Sequence, residues 1–202
     1  LTMSRVKQLV IDTPQGRSGV LHKESRFSFR YEASEQACEL SLSMPVRAQD
    51  YASSTLLPVF ESCRPEGFLL ERLTKRLLKF GRVDDMQLLA AVGQHGIGRL
   101  RFSTPGAAPE QAAQAPSLDE ILSSGKSPEL FEYLVNAFVG AGISGAQPKA
   151  LVPEQIHGTV IQPSVIVKAD SPEYPHLSKN EFVCMQAAKL AGVSRATFYK
   201  DI

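Results

Sequence analysis

The feature that most restricts the fold of this 202-residue chain is a glycine-rich segment with Gly140, Gly142 and Gly145 at GxGxxG spacing. In a dinucleotide-binding fold, this pattern follows a strand and opens a helix that crosses back over the sheet. Here a helical pattern precedes the glycines, and the stretch after them, 149–152, is short, β-like and closed by Pro153. The segment also lacks the GKS or GKT ending of a Walker loop. The sequence context therefore excludes both of these folds.

The remaining interpretation is a kinase-type loop between strands, in which small residues let backbone N–H groups approach phosphate oxygens. This loop requires short strands after it, one of which carries a lysine. The sequence supplies Leu151-Val152, a turn at His157-Gly158, Thr159–Ile161, and the apolar strand Val165–Lys168. A cation at the end of an apolar strand is costly unless it meets an anion. Lys168 is therefore predicted to contact phosphates, in preference to the alternative of a lysine that only reaches solvent.

An acidic residue on the next helix has two interpretations, which the sequence leaves open. Ser178-x-x-Glu181 fits a capping box that stabilises the helix start by up to about 1 kcal/mol. Glu181 is also placed to form a salt bridge with Lys168, as in the lysine–glutamate pair of protein kinases. The same helix is predicted to turn Phe182, Met185 and Leu190 inward and to end before Gly192.

The first half of the chain indicates a small antiparallel sheet followed by helices. Alternation and β-branched residues predict four strands, at Val6–Thr13, Gly19–Leu21, Phe27–Tyr31 and Leu40–Met44. A leucine stripe then predicts a helix over Phe68–Phe80, and Asp84 or Asp85 can cap a second helix that stops at Gly93. The fold class is therefore α+β.

Composition changes in the middle of the chain, where 104–117 is rich in proline and alanine and reads as a linker. Beyond it, Ser127-Pro128-Glu129 has the features of a helix start, and Phe131, Leu134, Val135 and Phe138 form its stripe. The predicted organisation is an N-terminal domain at 1–104, a linker and helix start at 105–130, and part of a kinase-like N-lobe at 131–202.

The overall charge argues against a general attraction to nucleic acid or to a membrane. The net charge is +1, from 22 basic and 21 acidic residues, and no run approaches the roughly 20 apolar residues of a spanning helix. Five basic residues lie in or just after the predicted helix Phe68–Phe80, namely Arg72, Lys75, Arg76, Lys79 and Arg82. They could contact phosphates, but a helix face exposed to solvent is the better interpretation. The three scattered cysteines (Cys38, Cys63 and Cys184) suggest reduced thiols and a cytoplasmic location.

Four motifs in order give the chain a specific resemblance. They are Ile143–Lys149, Val165–Lys168, Glu173–Leu177 and Asn180–Phe182, and parts of the first half, such as Leu40–Pro45 and Phe60–Glu71, agree with them. Together they resemble the HipA family of toxin–antitoxin kinases, over nearly the whole chain. The resemblance implies an ATP- and Mg²⁺-dependent kinase that phosphorylates serine or threonine of a protein acting in translation. It also implies inhibition by a small antitoxin of the HipB type, through which alone DNA would be contacted.

The resemblance also assigns site residues. The ATP-binding positions would be Ser144, Gly145, Ala146, Gln147, Pro148, Lys149 and Lys168, with Glu181 as the partner of the lysine. Family members carry an autophosphorylated serine in this loop, but this chain has Gly142 where several of them have it. Ser144 is the only hydroxyl nearby and is therefore the candidate. Its phosphate would add a charge of roughly −1.5 to −2 and repel the phosphates of ATP.

The family's catalytic aspartate, its neighbouring asparagine and its Mg²⁺-binding aspartate belong to a C-terminal lobe, and the sequence supplies no match for them before Ile202. Asp170 and Glu173 lie near Lys168 but match family positions without a catalytic role. Neither catalytic residues nor metal ligands are therefore expected in this chain, which should not turn over alone. The alternative is a non-enzymatic interaction module that docks on a separate kinase or antitoxin chain.

Overall fold

The computed structural model describes residues 6–79, 81–93, 98–107, 118–123, 128–137, 149–153, 164–168, 170 and 175–193. The chain divides into two compact units, the first with the described residues up to 107 and the second with those from 118 onward. The first unit combines a five-stranded antiparallel sheet with helices, so the predicted α+β class is confirmed. The predicted boundaries at 104 and 130 stay predictions, and 108–117 lie outside the described residues.

The sheet of the first unit has the strand order β4-β3-β2-β1-β5, and every neighbouring pair is antiparallel. The strands are β1 (Gln8–Thr13), β2 (Gly16–Lys23), β3 (Phe27–Tyr31), β4 (Tyr51–Ser53) and β5 (Arg101–Ser103). The first three correspond to predicted strands: β1 begins two residues later than predicted, β2 extends beyond Gly19–Leu21 at both ends, and β3 has the predicted bounds. The two short outer strands, β4 and β5, were not predicted, since three residues give too little alternation to detect.

Alternation along the strands places the core on one face of the sheet. Leu9, Ile11, Leu21 and Phe29 are fully buried there, as the period of two in a strand requires. Phe60 from the helical layer packs on this face, with its ring centroid 5.5 Å from that of Phe29. Burial of these large side chains provides the main stabilisation of the first unit.

The helices of the first unit agree with the leucine stripe and the capping signal. They are α1 (Pro58–Glu61), α2 (Gly67–Leu78) and α3 (Asp85–Val92). In α2, Leu69, Leu73 and Leu77 are buried on one side. Asp84 caps α3 through a capping box with Gln87, and each residue's side chain accepts a hydrogen bond from the other's backbone N–H at 3.0 Å. The predicted helix end, Phe80, lies outside the described residues.

The predicted strand at Leu40–Met44 is wrong, because the segment forms a turn with a single bridge between Ser41 and Met44. The Tyr31 hydroxyl holds this turn by accepting from the backbone N–H of Leu40 and donating to the carbonyl of Met44. Leu40 and Met44 are buried while Leu42 is 98% exposed. A turn with its two ends anchored in the core gives the same alternation as a strand.

The second unit contains three helices and two strands among the residues that the structure describes. They are α4 (Leu118–Ser123), α5 (Pro128–Ala137), β6 (Lys149–Pro153), β7 (Ser164–Lys168) and α6 (Leu177–Leu190). β6 and β7 pair in antiparallel orientation, and α5 contacts β6. The strands predicted around Leu151-Val152 and at Val165–Lys168 are confirmed, whereas the turn at His157-Gly158 and the strand Thr159–Ile161 lie outside the described residues.

Two further expectations can be compared with the described residues. None of the described helices combines the length and the apolar character needed to cross a bilayer. Cys38, Cys63 and Cys184 are all free thiols, and their degree of burial falls from Cys38 to Cys184.

Candidate functional site

Lys168 and Glu181 form the ion pair that the sequence left as one of two alternatives. Lys168 is the last residue of β7, and its ammonium group contacts the Oε1 of Glu181 on the first turns of α6. Each side chain is 31% exposed, so the pair is shielded on one side and open to solvent on the other. An anion could therefore reach the ammonium group from the solvent side while the ion pair stays intact.

Lys149 adds a second cation to the same end of the sheet. It begins β6 and is the direct cross-strand partner of Lys168. Directly opposed residues of an antiparallel pair project from the same face, where like charges are unfavourable. Glu181 balances the charge of Lys168, and Lys149 places a second positive charge opposite it. This arrangement suits a ligand that carries several negative charges.

The start of α6 differs from the predicted capping box. The helix begins at Leu177, and its N-cap residue is His176, which has the left-handed φ of 63° and makes no side-chain cap. Ser178 therefore lies inside the first turn and cannot act as the N-cap. Glu181 consequently contacts Lys168 and not its own helix start.

Asp170 supplies what the helix start lacks. One carboxylate oxygen accepts from the backbone N–H of Ser178 at 2.9 Å, and the other accepts from that of His176 at 3.1 Å. These hydrogen bonds, with that of Ser178 first, hold the pKa of Asp170 below its usual value. No role for this carboxylate was predicted from the sequence; its position between a strand lysine and a helix start was the available signal.

The other predicted site residues lie outside the part of the chain that the structure describes. Ser144, Gly145, Ala146, Gln147 and Pro148 lie outside the described residues, as does Glu173. Among the described residues, no group of three or more His, Cys, Asp or Glu side chains could hold a metal ion. The expectation of no metal site in this chain stays a prediction.

The apolar side of α6 departs from expectation, since Leu190 was predicted to turn inward but is 89% exposed. Phe182 and Met185 are half-buried, and no described side chain of α6 is fully buried. Gly192 follows the end of the helix with a left-handed φ of 72°, as predicted.

The basic residues of α2 have local partners that fit the solvated-face interpretation. Lys75 pairs with Glu71 at 2.5 Å, one turn earlier, and the guanidinium of Arg72 lies 5.2 Å from the centre of the Phe68 ring. Lys75 and Glu71 are both exposed. This helix is therefore not included in the candidate site.

The fold and the site together define an α+β protein whose second unit carries a lysine–glutamate pair at the end of a two-stranded antiparallel sheet. Comparison with protein families identifies two matches along the chain. The HipA N-terminal domain matches 9–103 and the HipA-like C-terminal domain matches 141–199. The chain is therefore a HipA-like protein.

Comparison with individual proteins adds less. The solved structures include one described as the N-terminal domain of HipA toxin, with 23% identity and a TM-score of 0.36. The alignment covers 54% of the present chain and 98% of that one. No curated protein matches the chain.

Proposed function

We propose that this chain is the nucleotide-holding part of a HipA-like protein serine/threonine kinase, with Mg-ATP held between the glycine-rich segment and Lys168. The observation that carries the proposal is the Lys168–Glu181 ion pair at the strand end opposite Lys149. Protein kinases use a strand lysine, held by a helix glutamate, to position the phosphates of ATP. Lys149 directly follows Pro148 in the chain, so the glycine-rich segment joins the sheet at the residue paired with Lys168.

Several residues of the chain have separate roles in binding the phosphates of ATP. Lys168 supplies a positive charge to the phosphates, and Glu181 keeps its ammonium group from turning toward bulk solvent. Lys149 contributes a second charge on the same face, while backbone N–H groups from Ser144 to Gln147 complete the phosphate contacts next to Pro148, which has no N–H of its own. ATP supplies the phosphoryl group for transfer. Ligands for Mg²⁺ and the residue that orients the accepting hydroxyl are expected in a C-terminal lobe.

The rest of the proposal follows the family. In the full-length protein, the phosphoryl group would pass to a serine or threonine of a protein that acts in translation, and an antitoxin of the HipB type would inhibit the reaction. Ser144 is the proposed autophosphorylation position, because it carries the only hydroxyl group in the glycine-rich segment 140–149. The added negative charge would oppose the phosphates of ATP. Mass spectrometry of the full-length protein after incubation with Mg-ATP should find a phosphate on Ser144. A phosphate on other residues only would contradict this assignment.

Calorimetric titration of the full-length protein with Mg-ATP tests the role of Lys168. We expect Lys168→Ala to weaken Mg-ATP binding by at least about tenfold, since a hydrogen bond to a charged group is worth about 1.5–3 kcal/mol. Lys179→Ala is a matched control, because Lys179 is an exposed lysine of the same helix as Glu181. Equal affinities for the wild type and Lys168→Ala would contradict the proposal and leave the interaction module as the better function.

A further inference from the structure

Asp170 links the strand that carries Lys168 to the helix that carries Glu181. It follows Lys168 by two residues, and its two carboxylate oxygens accept the N–H groups of His176 and Ser178. Both acceptor distances, 3.1 and 2.9 Å, are those of well-formed hydrogen bonds. The side chain itself is exposed, so apolar packing does not hold it there.

The start of α6 needs such an acceptor. The first N–H groups of a helix have no partner within the helix, and a side chain at the N-cap usually accepts from them. His176 occupies the N-cap and makes no such bond. A carboxylate at this end also interacts favourably with the helix dipole. Asp170 therefore performs from outside the helix the task that the N-cap residue leaves undone.

The cap is connected to the ion pair through the first turn of α6. Ser178 and Glu181 are three residues apart and hence neighbours on the helix surface. A hydrogen bond that fixes the backbone of Ser178 consequently fixes the place from which Glu181 reaches Lys168. Lys168 and Asp170 are only two residues apart in the chain. Lys168 is therefore connected to α6 twice, directly through Glu181 and indirectly through Asp170 and Ser178.

We propose that Asp170 is a positioning residue of the nucleotide site, which fixes the start of α6 so that Glu181 holds the ammonium group of Lys168. This inference rests on the proposed function for its effect on nucleotide, but the cap itself can be measured without ATP. Loss of the carboxylate frays the first turn, lets Glu181 move and lowers the affinity for Mg-ATP through Lys168.

The first measurement is amide hydrogen exchange of the first turn of α6 in the chain without nucleotide. Asp170→Asn keeps the shape of the side chain but removes its charge and replaces one of the two acceptor oxygens by an NH2 group. One of the two hydrogen bonds is therefore lost, and we expect exchange at 176–181 to be about fivefold faster, as for the loss of about 1 kcal/mol. Asp119→Asn, which removes an exposed carboxylate from α4, is the matched control and should leave the exchange unchanged. Unchanged exchange in Asp170→Asn overturns the inference, whatever the result with ATP.

The second measurement separates positioning from general stability. Calorimetry should show Mg-ATP binding about three- to fivefold weaker in Asp170→Asn, since the substitution removes one hydrogen bond of the cap and leaves the ammonium group in place. In a Glu181→Gln background, the same substitution should have no further effect, because Asp170 acts through Glu181. An equal loss in both backgrounds overturns the inference.

The same titrations distinguish failure of the inference from failure of the proposed function. Weakened binding in Lys168→Ala with unchanged binding in Asp170→Asn overturns the positioning role alone. Unchanged binding in both variants overturns the proposed function and, with it, any role of Asp170 in a nucleotide site. Faster exchange in Asp170→Asn would then show a helix cap without a connection to ATP.

Discussion

The first unit and helix α6 of the second unit are stabilised in different ways. In the first, Phe29, Phe60 and Leu9 are fully buried between sheet and helices. In the second, no described side chain of α6 is fully buried, and Leu190 and Val183 are 89% and 62% exposed. Charged and capping contacts, at Asp170 and between Lys168 and Glu181, hold the start of α6. The comparison suggests a firm scaffold in the first unit and an adjustable helix in the second.

Removal of a core ring is the strongest way to break this comparison. We expect Phe29→Ala to lower the free energy of unfolding of the first unit by about 3–5 kcal/mol, because the substitution removes buried area and leaves a cavity. Leu190→Ala in α6 should change stability by less than about 0.5 kcal/mol, since the side chain is exposed. Denaturant unfolding followed by circular dichroism would measure both. A comparable loss in Leu190→Ala would contradict the distinction between the units.

A steric test within the first unit has the next largest effect. An added Cβ at Gly19 in β2 would lie 2.1 Å from the carbonyl oxygen of Arg30 and 2.9 Å from the ring of Phe29. Gly19→Ala should therefore cost about 1–3 kcal/mol, as overpacked cores do.

Gly16→Ala is the control for this test, because Gly16 has a φ of 132° and nothing within 4 Å of an added Cβ. Its cost should come from backbone strain alone, at about 1 kcal/mol, the lower end for a residue in a sparsely populated φ region. Thermal unfolding of both variants would rank them. A Gly19→Ala variant as stable as the wild type would show that β2 and β3 can separate easily, which would remove the claim of a firm scaffold.

The smallest expected effect sharpens the contrast between charged contacts in the two units. Lys75→Gln breaks the exposed pair with Glu71 on α2 and should lower the free energy of unfolding only slightly, and less at high salt, because solvent and ions screen exposed charges. The hydrogen bond from Lys75 lowers the pKa of Glu71. The contribution of this pair to stability is therefore present at neutral pH and disappears as acid protonates Glu71. Urea unfolding at low and high ionic strength would measure it. A cost of several kcal/mol would show that surface charge matters in both units.

Much of the fold could be predicted because local signals agree with the packing. The leucine stripe of α2 and the Asp84 cap of α3 are local, and tertiary contacts reinforce them. The turn at Leu40–Met44 was predicted as a strand because the hydroxyl of Tyr31, nine residues before Leu40, determines its shape. Strand β5 depends on its pairing with β1, far away in the sequence.

The candidate site shows the same division. An apolar strand that ends in a lysine predicted the position of Lys168, and the lysine–glutamate pair of protein kinases led us to expect an acid, Glu181, on the following helix. Which contact Glu181 makes could not be read from the sequence, because the capping box and the ion pair use the same residue. The helix start at Leu177 and the carboxylate of Asp170 decide between them. Both depend on how the chain turns between β7 and α6.

The position of β5 has a practical consequence for dividing this protein into fragments. Residues 101–103 pair with β1 on the side that β2 does not occupy, so they cover the middle of β1 and form the short edge strand of the sheet. A fragment that stops after α3 would expose a row of unpaired N–H and C=O groups along Val10, Ile11 and Asp12. Such an exposed strand edge can pair with a strand of another molecule. A fragment for expression or crystallisation should therefore extend beyond Ser103 to avoid self-association.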